Sequence, residues 1–538
     1  MSRTALTGVL IFAFCALIRI GLVDRHGLWA DEFFSLAMAT GHSLEHPAAR
    51  ADPALGDYVE APRALPPAAY SRYLKHEVPP SGLGRVVRAV FLSDTNPPLY
   101  YLLLYGWTRV LGTGDASLRL FSVLWSLACF PLIWSIATRL GGRGAAVATC
   151  ILFAVSPFSV FYSTEGRMYS LLLLCSVSTA WLTLRIWDRG PGAGRFALWV
   201  LAGVAGLLTH YFFLFFWIPV VFWLQLHPGS FPRRLSGAGA ILTALLVLPW
   251  YIHLPELLSQ WRVTRYWLYV RPDNYQPIKR VLSLPWMTFL FGGTRFLNWS
   301  YAGVFLLLAI AAVPKLMSSI FSPPHSLLWF WLLGPWLGMV IFDLVRGTYI
   351  SAVPRYAFAA MPAACLLVGL ALESLKYRLR TVLMALIVFL CLVGVSRSYC
   401  GYYHDQYPEV ARLLARQVDE SDLILVHSFP SCVAGLARYL EQEPAFKTGV
   451  GFASWVGELG LGRVPADVEA LAAGRKRIIL VKARDVGWDD RVPAEIWLDD
   501  NAKLVETKKF PRNNAIFLLY FTPLDSTTFF GSPTSTAR

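Results

Sequence analysis

Long apolar runs separated by short basic loops dominate the first 400 residues, and the pattern changes after them. Runs near 4–23, 117–138, 144–163, 167–187, 195–210, 211–226, 236–254, 298–317, 325–345, 356–375 and 380–400 carry few charges. Most approach the ~20 residues that an α-helix needs to cross a bilayer. The pattern predicts about eleven membrane-spanning helices. Residues 97–112 are also apolar, but roughly 16 residues is the low edge for a crossing. Charge decides the matter. If 97–112 does not cross, Arg139 and Arg143, then Arg185, Arg189 and Arg195, then Arg233 and Arg234, then Lys315, then Lys376, Arg378 and Arg380 all share one side with Arg3. The positive-inside rule makes that side the cytoplasm. The N-terminus is then cytoplasmic, and 97–112 is expected to be an amphipathic, partly inserted segment of the outer face.

This topology puts outside the long loop 24–116, the turn 162–167, the loop 255–297 and everything after residue 400. The first run, Leu6 to Val23, is followed by Asp24-Arg-His-Gly-Leu-Trp29. That stretch lacks a small-residue cleavage pattern, so an uncleaved first helix is expected. The tail 401–538 reads differently. Asp422 to His427, Arg477 to Lys482 and Ala515 to Phe521 have strand patterns, and Cys432 to Leu440 has a helical one. Alternation of this kind predicts a small α/β domain. The expected fold is therefore mostly α: a polytopic transmembrane bundle over 1–400, with a C-terminal α/β extracytoplasmic domain over 401–538. No internal repeat is visible, and only the end after Asp525 is biased, toward Ser and Thr.

Composition agrees with a membrane protein. Hydrophobic residues make up 56% and charged residues 15%, against about 25% charged in soluble chains. The net charge of +14 invites a nucleic-acid reading, but the excess sits in short loops where topology explains it. No nucleic-acid-binding motif is present, so no nucleic-acid partner is expected. Of the 8 cysteines, six lie within apolar runs and Cys400 and Cys432 remain as a possible outward-facing pair, which is no disulfide framework.

The candidate chemistry gathers on one face. Asp31 and Glu32 follow the first span in Gly27-Leu-Trp-Ala-Asp-Glu-Phe-Phe-Ser35. Acids beside a span are costly and hence suggestive. Apolar neighbours that take water from them would make a better base. Alone, the pair reads equally as a helix end reaching water. Asn96-Pro97-Pro98 would stiffen the start of the 97–112 segment, or simply start a helix. Glu165 and Arg167 sit in the turn Tyr162-Ser-Thr-Glu-Gly-Arg-Met-Tyr169, and Arg suits a phosphate oxyanion. Thr209-His210-Tyr211 and Pro354-Arg355-Tyr356 stand at outer span ends. Locally, His210 reads as structural and Arg355 as an interfacial anchor or a phosphate clamp. Together these five segments place acids and cations at one lipid–water boundary, where they could hold a lipid-linked phosphate and activate an acceptor. No carboxylate or His/Cys ligand set stands out, so neither metal nor cofactor is expected.

The order of these motifs resembles the bacterial glycosyltransferase family 39-like proteins of the GT-C superfamily, akin to protein O-mannosyltransferases and lipid A aminoarabinose transferases. The matching residues are Trp29 to Glu32, Asn96 to Tyr101, Leu118 to Ser122, Tyr162 to Tyr169, Thr209 to Tyr211 and Pro354 to Tyr356. The resemblance covers about residues 1–400. It implies that Asp31 is the general base on the acceptor hydroxyl and that Glu32 orients it. Where relatives often have His-Pro-Pro, this chain has Asn96, which cannot become cationic, so a charge-based role there is in doubt. Arg167 and Arg355 are then donor-phosphate candidates, with Glu165, His210, Tyr211 and Tyr356 in the same substrate site.

The implied reaction is a single inverting displacement. The donor is a polyprenyl-phosphate sugar; the acceptor is a lipid, glycan or protein; the place is the outer face of the inner membrane, among membrane lipid. The leaving phosphate is already a stabilised anion, so cations and positioning suffice. Two rivals remain at this stage. An O-antigen ligase or polymerase usually relies on paired Arg in a late outer loop, and a lipid-linked sugar transporter needs broken or charged helices at the midplane. The loop 255–297 carries Arg262, Arg265 and Arg271 interleaved with Trp261, Tyr266, Trp267 and Tyr269. It is expected at the headgroup level, as a lid over the donor or a solvated loop.

Overall fold

The computed structural model describes residues 3–46, 50–93, 96–260, 276, 283, 289, 294–400, 405–447, 449–455, 465–483, 493–510, 516–524 and 528–529. The expected lid arginines, Arg262, Arg265 and Arg271, lie outside the described residues. The chain divides into two units. The helical unit comprises Met1–Arg25, Thr95–Tyr100 and Leu118–Cys400, and the sheet-bearing unit His26–Asp94, Tyr101–Ser117 and Gly401–Arg538.

Helices occupy every position at which the sequence predicts a crossing. Among the described residues six are long and apolar enough to cross a membrane: Asp115–Val155, Tyr169–Arg189, Arg233–Tyr251, Pro323–Arg346, Pro354–Glu373 and Tyr377–Cys400. Arg295–Ala311 and Val313–Phe321 meet at a 72° bend and add a seventh if they form one broken span. The count of eleven is not established. Two expected spans run together into Asp115–Val155, and Ala193–Leu207 has 15 residues, about 22 Å against a hydrocarbon thickness of about 30 Å. Within 97–112 the helix is Leu99–Leu111, 13 residues, and roughly 20 Å does not cross.

Local breaks have local causes. Asp115–Val155 is interrupted at Gly142, at φ 77° and ψ −168°, a conformation open to glycine. It ends where Ser156 caps the next helix, Pro157–Ser163, by accepting from the Ser159 N–H at 3.3 Å. Pro157 supplies the fixed φ of a first helical position. At this break the wholly buried Arg19 of the helix Arg3–Ile20 donates to Phe153 O (3.0 Å), Ala154 O (3.1 Å), Ser159 Oγ (2.9 Å) and Ser126 Oγ (3.2 Å). A buried guanidinium needs such acceptors, and a helix end offers carbonyls that no further turn would use.

Among the described residues the sheet-bearing unit has five strands: β1 (Asp422–His427), β2 (Gly451–Trp455), β3 (Arg477–Ala483), β4 (Ala502–Phe510) and β5 (Ile516–Pro523), in the order β2-β1-β3-β5-β4. β1 pairs in parallel with β2 and β3, and β5 is antiparallel to β3 and β4. β1 is buried at all six positions, as a strand covered on both faces should be. Leu423, Leu425, Ile478, Leu480, Leu498 and Phe521 form the core of one face. The long first loop joins this domain. Leu65 bridges to Phe452 of β2, Ser454 Oγ donates to Glu60 Oε1 at 2.7 Å, and Lys75 pairs with Glu441 at 2.7 Å.

His42, 2% exposed, is held in that loop between Thr40 Oγ1 (3.0 Å) and Glu77 Oε1 (3.3 Å), with Arg85 bonded to both Glu77 oxygens. Burial first, and Arg85 second, lower its pKa from 6.5 to about 4. The folded state thus resists a proton that the unfolded chain accepts below pH 6.5. The contribution of neutral His42 is complete above 6.5 and is lost as pH falls toward 4, a swing of about 3 kcal/mol at most. Between pH 7 and pH 5, thermal melts of the purified chain should lose more stability for wild type than for His42→Gln. Equal losses would count against the assignment.

Candidate active site

The helical unit gathers most of the motif residues around Tyr169. Glu165 and Arg167 lie in the turn between the helices Pro157–Ser163 and Tyr169–Arg189 and are 4% and 6% exposed. The turn is built by its neighbours. Arg167 N donates to Glu165 O at 2.8 Å, and Ser122 Oγ donates to Arg167 O at 3.2 Å. A Cβ on Gly166 would stand 2.4 Å from Leu118 Cγ, so only glycine fits. The Leu118-to-Ser122 motif is thereby explained as the packing surface of this turn. Thr164 adds a hydrogen bond to the Tyr399 hydroxyl.

Three further segments complete the cluster. His210 is buried, and its Nδ1 accepts from Phe212 N at 3.1 Å, which starts the short 3₁₀ turn Tyr211–Phe213. Its ring lies 6.1 Å from Tyr169 and 5.9 Å from Tyr356. The Asn96-Pro-Pro segment docks beside it, since Leu99 N donates to Leu208 O at 3.0 Å. Tyr211 is turned elsewhere: its hydroxyl accepts from Trp250 Nε1 at 2.8 Å and its ring packs on Tyr251. Arg355 and Tyr356 stand in the 3₁₀ helix Pro354–Ala360, with the guanidinium 5.6 Å from the Tyr356 ring centroid.

Electrostatics ties these pieces together. Tyr169 lies within the field of Arg355, Tyr356, Arg167 and Glu165, and His210 within that of Arg167 and Arg355. Of the three charged side chains here two are guanidiniums, whose planar forks match phosphate oxygens. The platform under Arg355 is set by the buried Asp343, which the sequence shows only as an acid near a span end. Its carboxylate accepts from Thr348 Oγ1 (2.6 Å), Ile350 N (2.8 Å) and Ser351 N (2.9 Å). Trp331 Nε1 holds the far side through Ala359 O at 2.6 Å. In the sequence Tyr169 is only the last residue of its motif. An acid inside an apolar helix was the signal for Asp343; nothing local marked Tyr169 as the centre.

Asp31 and Glu32 belong to the sheet-bearing unit, in the first turn of the helix Ala30–Ala39. Trp29 precedes it in extended conformation (φ −109°, ψ 174°), and its N–H donates to Glu32 Oε2 at 3.2 Å. This is the carboxylate half of a capping box. Glu32 is fully buried, while Asp31 is partly exposed. The structure thus gives the two acids different surroundings: Glu32 closes the helix start from a buried position, and Asp31 stands partly exposed in the same first turn, where the helix dipole favours a carboxylate. Among the described residues no group of three or more His, Cys, Asp or Glu could hold a metal ion.

The fold is that of the GT-C glycosyltransferases, as the motif order suggested. Residues 95–253 match the family model for dolichyl-phosphate-mannose-protein mannosyltransferase. The structure aligns with ArnT from Cupriavidus metallidurans bound to undecaprenyl phosphate, over 98% of this chain and 99% of that one, with a TM-score of 0.59 and 14% identity. For ArnT in the apo state the coverage is 90% and 95%, the TM-score 0.52 and the identity 14%. The apo Archaeoglobus fulgidus oligosaccharyltransferase aligns over 89% of this chain and 69% of its own, with a TM-score of 0.51 and 11% identity. At these identities the likeness is one of fold. No curated protein matches the chain by sequence.

Proposed function

We propose that the chain is an inverting glycosyltransferase of the bacterial inner membrane. It moves a sugar from a polyprenyl-phosphate donor to a hydroxyl of a lipid, glycan or protein acceptor on the outer face. The observation that carries this reading is the pair Arg167 and Arg355 around Tyr169, in a fold that in ArnT accompanies bound undecaprenyl phosphate. Asp31 takes the acceptor proton as the acceptor oxygen bonds to the anomeric carbon. The bond from that carbon to the phosphate oxygen breaks, and polyprenyl phosphate leaves with the electron pair. Arg167 and Arg355 meet the charge that grows on it. Glu165 shares the buried turn of Arg167, and the His210 ring lies near Tyr169 and Tyr356, with the Asn96 segment tied to the neighbouring Leu208. One displacement inverts the anomeric centre.

The test is mass spectrometry of lipid-linked sugars and envelope glycans with and without the gene. Loss of one sugar modification, with build-up of a monophosphate-linked monosaccharide, is expected. Build-up of a pyrophosphate-linked oligosaccharide instead would replace this reading with a ligase or polymerase. Orientation is tested alongside: in spheroplasts, an impermeant maleimide should label a single cysteine in the 405–447 region and spare one at position 233. The reverse pattern would move the site to the wrong face.

A further inference from the structure

The sheet-bearing unit puts a second use on its helix Pro430–Gln442. The Tyr439 hydroxyl accepts from Leu28 N at 2.6 Å, three residues before Asp31, and donates to Asp115 Oδ2 at 2.6 Å. Arg438 Nη2 donates to the other oxygen, Asp115 Oδ1, at 2.8 Å, and to Thr113 O at 2.9 Å. Arg438, Tyr439 and Leu28 are all buried. The hydroxyl is thus used as both acceptor and donor, and its donor side ends on a carboxylate that is itself paired. Bonds of this charge-assisted kind are short and strong, and a chain of them resists a shift of any one member.

Packing repeats the message. Phe33, wholly buried in the helix that carries Asp31, lies edge-on to Tyr439 (6.3 Å) and Tyr407 (5.6 Å). It fits against Gly435, where a Cβ would approach Phe33 Cε2 to 2.1 Å. Gly27 is equally constrained, with a Cβ placed 2.4 Å from Pro408 Cγ and 3.0 Å from the Tyr439 hydroxyl. The segment before the acids and the residue after them are both clamped to one face of the C-terminal domain.

We infer that Tyr439, anchored by Asp115 and Arg438, is a positioning residue for Asp31, so that the C-terminal domain sets where the base stands. This rests on the assignment of Asp31 as the base. Tyr439→Phe removes both hydrogen bonds and keeps the ring. In the full-length protein in liposomes it should lower kcat about tenfold, as misplacement of a reacting group does, with both KM values little changed. Gly435→Ala, which presses on Phe33 and leaves the hydrogen bonds intact, should lower kcat in the same way. Arg477→Gln, which breaks an ion pair with Asp422 elsewhere in the domain, controls for plain destabilisation and should leave kcat alone. In an Asp31→Glu background, where the carboxylate is already displaced, Tyr439→Phe should cost less than about threefold, because coupled residues are non-additive. Unchanged turnover by folded Tyr439→Phe, or the full tenfold loss in the Asp31→Glu background, would overturn the inference. Failure of the base assignment looks different: Asp31→Asn then turns over by itself, whatever Tyr439→Phe does.

Discussion

Asp31→Asn is expected to lower kcat by about 10³-fold, the usual worth of a positioned general base, while the protein still inserts and folds. Asn keeps the size of the side chain but cannot take the acceptor proton. The partly exposed place of Asp31 in the first turn of its helix argues against a folding defect as the source of the loss. Purified variant and wild type would be compared with a polyprenyl-phosphate sugar in liposomes, and near-normal turnover by the variant would remove Asp31 from the mechanism. Glu32→Gln should be much milder, because an amide oxygen still accepts from Trp29 N and closes the helix start. Were Glu32→Gln the more damaging change, the two acids would exchange roles.

The second large effect is expected at the cations. Arg355→Gln and Arg167→Gln should each lower kcat by about 10²-fold, in the range seen when one preorganised charge-stabilising donor is removed. The donor KM should move far less, since the phosphate gains charge only as the sugar leaves it. Lysine at either position should restore part of the rate: it returns the charge but not the planar fork. A rise in donor KM with kcat intact would show ground-state binding only, and the proposed role in the displacement would fall.

Much of this arrangement was legible in the sequence, for definable reasons. Membrane helices announce themselves by composition, so their positions emerged well even where Gly142 and Ala312 make the crossings hard to count. β1, β3 and β5 are apolar runs bounded by polar residues. β2 and β4 have no such signature, because Gly451–Trp455 is short and begins with glycine, and because Ala502–Phe510 is an exposed edge strand with Lys503, Glu506, Lys508 and Lys509. The motif residues Glu165, Arg167, His210 and Arg355 could be read as one group because each lay at an expected span end. Their supports could not. Ser122 behind Arg167 and Asp343 behind Arg355 act through backbone atoms of other turns, and Tyr439 meets Leu28 across 411 positions of chain. No local period or spacing records such pairs.

That separation has a consequence for the birth of the protein. A ribosome adding about 5–20 residues per second finishes Tyr439 on the order of 20–80 s after Leu28, across the 411 residues between them. During that interval every membrane helix after the first is synthesised while Phe33 lacks Gly435 and Tyr439 to cover it. The acid-bearing segment therefore waits, unclamped, for nearly the whole of translation. A chain interrupted after residue 400 but before residue 439 holds Arg167 and Arg355 but not the seat of Asp31.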